Sequence, residues 1–411
     1  MDRIHHKTGL EDRFVYENHK RLRLGYTTGT SAAAAAGAAA EMILSGEEAE
    51  EVSVETPAGI LLNLLTEDLT LPRTQTDGSI FASAAVRKDG GDDVDATHGL
   101  LIYADVTVSD MIDTVPGPDG LFKPGDLHIT IDGGKGVGRV TKPGLDRKIG
   151  EAAINTVPRQ MIRETVENVF HKYRKGGSVD VIIRVPEGEA AAQKTFNGRL
   201  GIVGGISILG TSGIVMPMSE KAWLDSMRAE MKALVANGGD YLLLTPGNYG
   251  ETFAASQKEI SMSHQMQCSN FVGPTLDMAE ELGVKGVLFV AHIGKFIKVS
   301  GGIMNTHSKE ADCRAELMAA AALRAGAGRD CVERILASNT TEDALDILYS
   351  EEPEIVPSMM RDILTRITYY LQKRSPKLEI AVILFSSVRG KLGETENAAD
   401  LIQKLRQEEE R

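Results

Sequence analysis

The stretch GPTLDMAEELGVKGVLFVAHIGK (residues 273–295) holds a helix, a stop and a strand in one run. Apolar residues recur at helical spacing up to Leu282, Gly283 ends the helix, and Val287 to Ala291 is apolar at every position. A short strand with no polar alternation is covered on both faces, the condition of a parallel sheet between helices. The pattern repeats outward, in DYLLLTPGNYGE (240–251) before it and KLEIAVILFSS (377–387) after it. Residues 236–390 are therefore expected to form a Rossmann-like three-layer α/β domain, followed by a charged C-terminal helix over 391–411. Ligands of such sheets sit at the carboxyl ends of the strands, here TPGNYG (245–250) and AHIGK (291–295).

The first half has another texture. EVSVETPAGILLNLL, LHITIDGG and VDVIIRVPEG are short β-branched runs between Gly, Asp and Pro turns. Helical patterns interrupt them at 155–175 and 219–239. This predicts an α+β domain over 21–235 with a mixed or antiparallel sheet, behind an N-terminal extension of residues 1–20. The acidic end, KLRQEEER, reads as a solvated terminal helix.

With 411 residues and 42% apolar content the chain is long enough for two or three domains and a sizeable core. No apolar run reaches the roughly 20 residues of a membrane span and the N-terminus lacks an apolar signal core, so a cytoplasmic location is expected. Cys268, Cys313 and Cys331 are far apart and form no CxxC pair, which argues against a disulfide framework or a zinc cluster. A net charge of −13 disfavours nucleic acid and anionic membranes as partners, so an anionic ligand needs a local positive pocket.

Four regions carry candidate chemistry. In RLRLGYTTGTSAAAAAGAAA (21–40), Thr27, Thr28, Thr30 and Ser31 suit a helix cap ahead of an alanine helix whose first amides are free to face an anion. KDGGDDVDATHG (88–99) concentrates Asp89, Asp92, Asp93, Asp95 and His98. Such a loop is solvated, binds a cation, or holds a carboxylate with a raised pKa that serves as a general base beside His98. Three glycine-rich stretches follow, at 132–145, 197–215 and 245–251. The first carries Lys135, Arg139, Lys142 and Arg147, and none matches a P-loop or dinucleotide fingerprint. Finally, AHIGKFIKVSGGIMNTHSKEADCRAE (291–316) carries His292, Lys295, Lys298, Asn305, His307, Asp312 and Arg314. There Asn305, Thr306 and Ser308 read as caps of a helix beginning near Lys309.

In order along the chain, LRLGYTTGTSAAAA, GDDVDATHG, GKGVGRVTKPGL, FNGRLGIVGGISILGTSGIV, TPGNYG, SNFVG and IGKFIKVSGGIMNTHSKEAD resemble the cobalt-precorrin-5B C(1)-methyltransferase (CbiD) family. Val94, Ala152 and Thr156 stand where that family commonly has proline. The resemblance implies transfer of a methyl group from S-adenosyl-L-methionine to ring carbon 1 of a cobalt tetrapyrrole, giving cobalt-precorrin-6A in anaerobic cobalamin biosynthesis. Cobalt then belongs to the substrate, and no protein metal site is expected. Other cobalamin-pathway enzymes are the protein partners it suggests, and the oligomeric state is open.

Under that resemblance Asp92, Asp93, Asp95, His98 and His292 are the catalytic candidates for proton handling. Gly247, Asn248, Gly250 and Glu251 are the donor-site candidates. Thr27, Thr28, Thr30, Ser31, Lys135, Arg139, Lys295, Asn305, Thr306 and His307 are the candidates for holding the acetate and propionate fringe of the macrocycle. The alternatives are a non-catalytic carrier of cobalt-tetrapyrrole intermediates and an enzyme using a phosphate-bearing cofactor.

Overall fold

The computed structural model describes residues 6–17, 19–114 and 126–410. It is a mixed α/β protein that divides into two compact units, Met1–Glu220 and Lys221–Arg411. The helix Glu220–Ala236 belongs almost wholly to the second unit.

The first unit is built around a six-stranded mixed sheet. Its spatial order is Glu51–Glu55, Leu61–Thr74, Ile80–Arg87, Leu101–Asp113, Lys175–Arg184, Leu127–Gly133. Every neighbouring pair is antiparallel except the last, which is parallel. The alanine helix Thr28–Ser45 lies on this sheet beside the helix Thr156–Tyr173. Ala32 to Ala36 and Ala38 to Ala40 have no exposed surface. A helix buried all round needs small side chains wherever another backbone comes close. A Cβ on Gly37 would stand 2.6 Å from the Thr165 methyl, and one on Gly29 2.8 Å from the Pro158 ring.

The start of the alanine helix is tied to the loop 209–213. Thr27 is the N-cap, its Oγ1 accepting the Thr30 N–H at 3.2 Å. Thr30 Oγ1 donates to the Gly213 carbonyl at 2.7 Å. Thr28 Oγ1 donates to the Leu209 carbonyl at 3.2 Å and accepts the Leu209 N–H at 2.9 Å. Gly210, at φ +134°, has no room for a side chain, because a Cβ there would meet Thr27 Oγ1 at 2.3 Å.

The second unit is a three-layer α/β sandwich. Its sheet runs Gln265–Gln267, Tyr241–Thr245, Gly286–His292, Glu379–Ser386, Gly390–Glu394, with the first four strands parallel and the last antiparallel. Alternation along the strands separates two cores. Leu242, Leu244, Val287, Phe289, Val382 and Leu384 pack with the helices between Glu220 and Arg374, including Val272–Glu281 and Val356–Arg374. Leu243, Leu288, Val290, Ala381 and Ile383 pack with Ala254, Ala398, Leu401 and Leu405. The segment 391–411, expected as a separate solvated helix, instead supplies an edge strand and one outer layer of this unit. Its helix Ala398–Glu409 buries its apolar stripe, and nearly buried Glu408 accepts the Tyr241 N–H at 3.1 Å. Among the described residues no helix is long and apolar enough to cross a membrane.

Thr30→Val keeps the shape of a fully buried side chain and removes the hydroxyl's bonds to the Gly213 carbonyl and the Thr27 hydroxyl, leaving each with one backbone N–H partner. Urea unfolding of the first unit should register a loss of about 1–3 kcal/mol. An unchanged midpoint would show that the junction contributes nothing.

Candidate functional site

In the first unit, three sequence-predicted segments meet at the start of the alanine helix. The Asp-rich loop lies along the strand entering that helix. Asp92 N donates to the Arg23 carbonyl at 3.0 Å, Arg23 N to Asp92 Oδ2 at 2.7 Å, and Tyr26 N to the Asp89 carbonyl at 2.9 Å. Asp93 Oδ1 accepts the Met218 N–H at 3.0 Å, which brings in the residues just after the second glycine-rich stretch. His98 Nδ1 accepts the Gly90 N–H at 3.0 Å, so a neutral ring carries its proton on Nε2.

Asp89 and Asp95 of this loop are paired with cations. Lys88, whose side chain is 1% exposed, forms an ion pair with Asp95. Burial pushes the Asp95 carboxyl up, but the Lys88 charge and hydrogen bond, with the Thr97 hydroxyl and amide, outweigh it and hold it below the usual range. Burial likewise pushes Asp89 up, and the Arg23 guanidinium and the Gly91 amide bring it net down. The carboxylate with a raised pKa expected of this loop is therefore not Asp95 or Asp89, because each has a cation against it. Lys88 escaped the sequence reading because a lysine beside a Gly/Asp turn looks solvated.

The cap residues have no free amide to offer at Gly29, Thr30 or Ser31. Those three N–H groups go to the Leu209 carbonyl, Thr27 Oγ1 and the Thr27 carbonyl. Thr27, Thr28, Thr30 and Ser31 are all buried, so the expected anion-facing helix start is closed by the fold's own loop. Arg139 is also engaged, both terminal nitrogens donating to Asp132 at 2.8 Å. Lys135 occupies the turn after Leu127–Gly133, where its carbonyl accepts the Val185 N–H. A groove of about 1000 Å³ runs along the alanine helix, but Glu41, Glu47, Glu48, Glu50, Glu51 and Glu55 line it. Its sign is wrong for a polycarboxylate.

In the second unit, the strand order creates a switch point. From Tyr241–Thr245 the chain turns to one neighbour, Gln265–Gln267, and then crosses to the other, Gly286–His292. The loops after the first and third strands part there, the place where sheets of this kind form a ligand crevice. TPGNYG forms one wall. Gly247 turns at φ +95° and precedes the helix Asn248–Ser256, and a Cβ on it would meet nothing within 4 Å. At Gly250 a Cβ would lie 2.5 Å from the Val290 carbonyl, so only glycine lets the helix approach the central strand. Among the described residues the Asn248 and Tyr249 amides have no protein partner. Asn248 Oδ1 and Glu251 are both held by the Gln267 amide, at 3.0 Å for Asn248.

His292 ends the central strand and caps the turn Ile293–Phe296, its Nδ1 accepting the Gly294 N–H at 3.0 Å. The Ser387 N–H points at its Nε2 from 3.2 Å, and Glu342 Oε1 lies 3.4 Å from the same nitrogen. Burial lowers its pKa, with Glu342 opposing, and the ring is neutral at pH 7. The Tyr249 ring is 6.0 Å away, centroid to centroid, across the crevice. Burial pushes the Cys268 thiol up to about 12, which leaves it protonated and unreactive.

Lys295 Nζ donates to Asn270 Oδ1 at 2.8 Å, and Thr306 N donates to the Asn270 carbonyl at 2.9 Å. The cap expected of Asn305, Thr306 and Ser308 is not formed. Asn305 Oδ1 accepts the His307 N–H at 3.1 Å and His307 Nδ1 the Lys309 N–H at 3.1 Å, and the next helix begins only at Arg314. Side-chain oxygens and ring nitrogens satisfied two residues onward make local turns that compete with helix initiation.

The CbiD family model matches residues 15–217, and the model of the CbiD C-terminal domain matches residues 305–396. A Ruminiclostridium cellulolyticum protein named cobalt-precorrin-5B C(1)-methyltransferase is 41% identical over 97% of this chain and 100% of its own length. A Tolumonas auensis protein of the same name is 41% identical over 97% of this chain and 99% of its own. A crystal structure of the cobalamin biosynthesis protein CbiD from Archaeoglobus fulgidus is 28% identical, with a TM-score of 0.36 over 75% of this chain and 88% of that one.

Two outcomes test the paired groups and the close approach. The folded Asp95 carboxyl binds its proton less tightly than the unfolded one, whose pKa is about 3.9. Its stabilisation is therefore complete above that value and is lost as pH falls through the lower folded pKa. Asp95→Asn should cost about 3 kcal/mol at pH 7 and flatten the loss of stability below about pH 4. Parallel pH curves for the two proteins, followed by urea unfolding, would refute the pairing. Gly250→Ala should destabilise the second unit by about 1–3 kcal/mol, read as a lower Tm.

Proposed function

The chain belongs to the CbiD family, and we propose that it transfers the methyl group of S-adenosyl-L-methionine to ring carbon 1 of cobalt-precorrin-5B, giving cobalt-precorrin-6A in anaerobic cobalamin biosynthesis. The observation that carries this reading is the 41% identity over 97% of the chain to a protein of that activity's name. In the reaction, a ring-carbon electron pair attacks the sulfonium methyl in line. The S–CH3 bond breaks with its electrons left on sulfur, and S-adenosyl-L-homocysteine departs. No protein nucleophile enters, so positioning both ligands supplies most of the acceleration.

The second unit is proposed as a Rossmann-like donor domain. Its switch-point crevice has a glycine turn at 247 and a close-packing glycine at 250, two of the jobs that glycines perform in dinucleotide-binding turns. The unused Asn248 and Tyr249 amides suit a polar group of the donor. Gln267 presents Glu251 and Asn248 together, so Glu251 is proposed as the ribose-hydroxyl partner. Lys295, Asn305 and His307 stand on the same edge for carboxylates of either ligand.

In the first unit the Asp loop and the segment ending at Met218 are proposed to face the macrocycle. Asp92, Asp93 and His98 remain the candidates for any proton to be moved, while Asp95 serves to hold the loop through Lys88. His292, with both nitrogens engaged, is proposed to shape the crevice floor. A cytoplasmic location suits an enzyme of this pathway.

The direct test is anaerobic incubation with cobalt-precorrin-5B and methyl-labelled S-adenosyl-L-methionine, followed by mass spectrometry and NMR of the pigment. One labelled methyl on ring carbon 1 is the expected result. A competent substrate that co-purifies unmodified with the protein would point to a carrier instead.

A further inference from the structure

Ile293–Phe296 is one turn of α-helix that runs directly into a 3-10 turn, Ile297–Gly301. Lys295 and Lys298 therefore stand three residues apart on a continuing helical turn, a spacing that puts side chains on one face. Like charges so placed repel, and they repel more strongly where water is excluded.

Lys298 is only 3% exposed, while Lys295 keeps an exposed side chain. Neither ammonium reaches a carboxylate among the described residues. Lys295 Nζ meets the neutral Asn270 Oδ1 at 2.8 Å, and Lys298 Nζ the Thr306 carbonyl at 3.1 Å. Asp312 is close enough for Lys298 to influence it, but it is already bound by Arg314 through contacts of 2.7 and 3.0 Å. Thr306 itself is 2% exposed, and its hydroxyl has no hydrogen-bond partner. A buried ammonium without an anion costs several kcal/mol, and a buried orphan hydroxyl adds to that. Local electrostatic rules broken this way, without compensation inside the fold, mark a site awaiting a ligand of opposite charge.

We infer that Lys295 and Lys298 form the cationic side of a carboxylate-binding subsite, with Lys295 as the contact group and Lys298 as the buried charge behind it. The subsite adjoins the switch-point crevice: Asn270 follows the strand Gln265–Gln267, Lys295 follows the strand Gly286–His292, and the ring of His292 faces Tyr249. This rests on the methyl-transfer reading, which supplies two carboxylate sources, the amino-acid end of the donor and the acetate or propionate arms of the macrocycle.

Calorimetry on the full chain separates the sources. The probes are S-adenosyl-L-homocysteine, its decarboxylated analogue and cobalt-precorrin-5B, applied to the unaltered protein, Lys298→Met and Lys295→Met. The expected result is that the unaltered protein prefers S-adenosyl-L-homocysteine to the analogue at least tenfold, and that both variants lose this preference by weakening the carboxylate-bearing ligand alone. Equal binding of the two adenosyl compounds, with cobalt-precorrin-5B weakened at least tenfold in both variants, assigns the subsite to the macrocycle. Should Lys298→Met fail to fold, Lys295→Met decides alone, since its side chain is exposed. Variants that bind all three probes as the unaltered protein does overturn the subsite and leave the methyltransferase reading intact. An unaltered protein that binds none of the probes overturns both.

Discussion

The first unit depends on how closely two helices and a sheet can approach when the side chains between them are single methyl groups. Alanine from 32 to 40, with Gly37 opposite Thr165, lets that part of the helix Thr28–Ser45 sit against both neighbours with its alanines fully buried. Such a helix has little side-chain area with which to hold its own position. Its placement therefore falls to polar contacts at its start, where Thr27, Thr28 and Thr30 bind Leu209 and Gly213. The same threonines that resemble an anion-binding helix start serve to lock one loop of the protein to another. The Asp loop inherits its position from that lock, because it is stitched to Arg23 and Tyr26 just upstream.

The second unit obeys a different constraint. Strands apolar at every position must be covered on both faces, and the two cores divide by residue parity along the strands. Once the sheet is covered, polar chemistry is left to the strand ends. There the turn at Gly247, the ring of His292 and the paired lysines gather within a few loops. Charge that would be ruinous inside a core can persist at that edge, where a ligand is able to complete it.

How much of this was legible in the sequence follows the range of the forces involved. The unbroken run Val287–Ala291 declared a two-sided strand, and Thr27 before a pure alanine run declared a cap; both depend on near neighbours. What the Gly29 amide binds lies far away in the chain, so its capture by the Leu209 carbonyl was invisible, as was the pairing of Lys88 with Asp95 inside an apparently solvated turn. Asn305 and His307 have good capping chemistry, yet they spend it on turns two residues ahead, and no spacing rule distinguishes those outcomes. The charged tail misled because its acids and lysines outnumber the Ala398, Leu401 and Leu405 stripe that docks on the sheet.

The position of that last helix bears on the order in which the polypeptide matures during synthesis. All contacts of the first unit's core lie within residues made before 221, so it can consolidate while translation continues. In the second unit, one face of the sheet, with Leu243, Leu288, Val290 and Ile383, is partly covered by Ala254 and completes its cover only when residues 398–405 have emerged. Until then a ribosome-bound chain leaves part of that apolar face covered only by the helix Asn248–Ser256. The nascent second unit is thus the segment for which a holding chaperone has the longest window, which closes as Ala398, Leu401 and Leu405 dock.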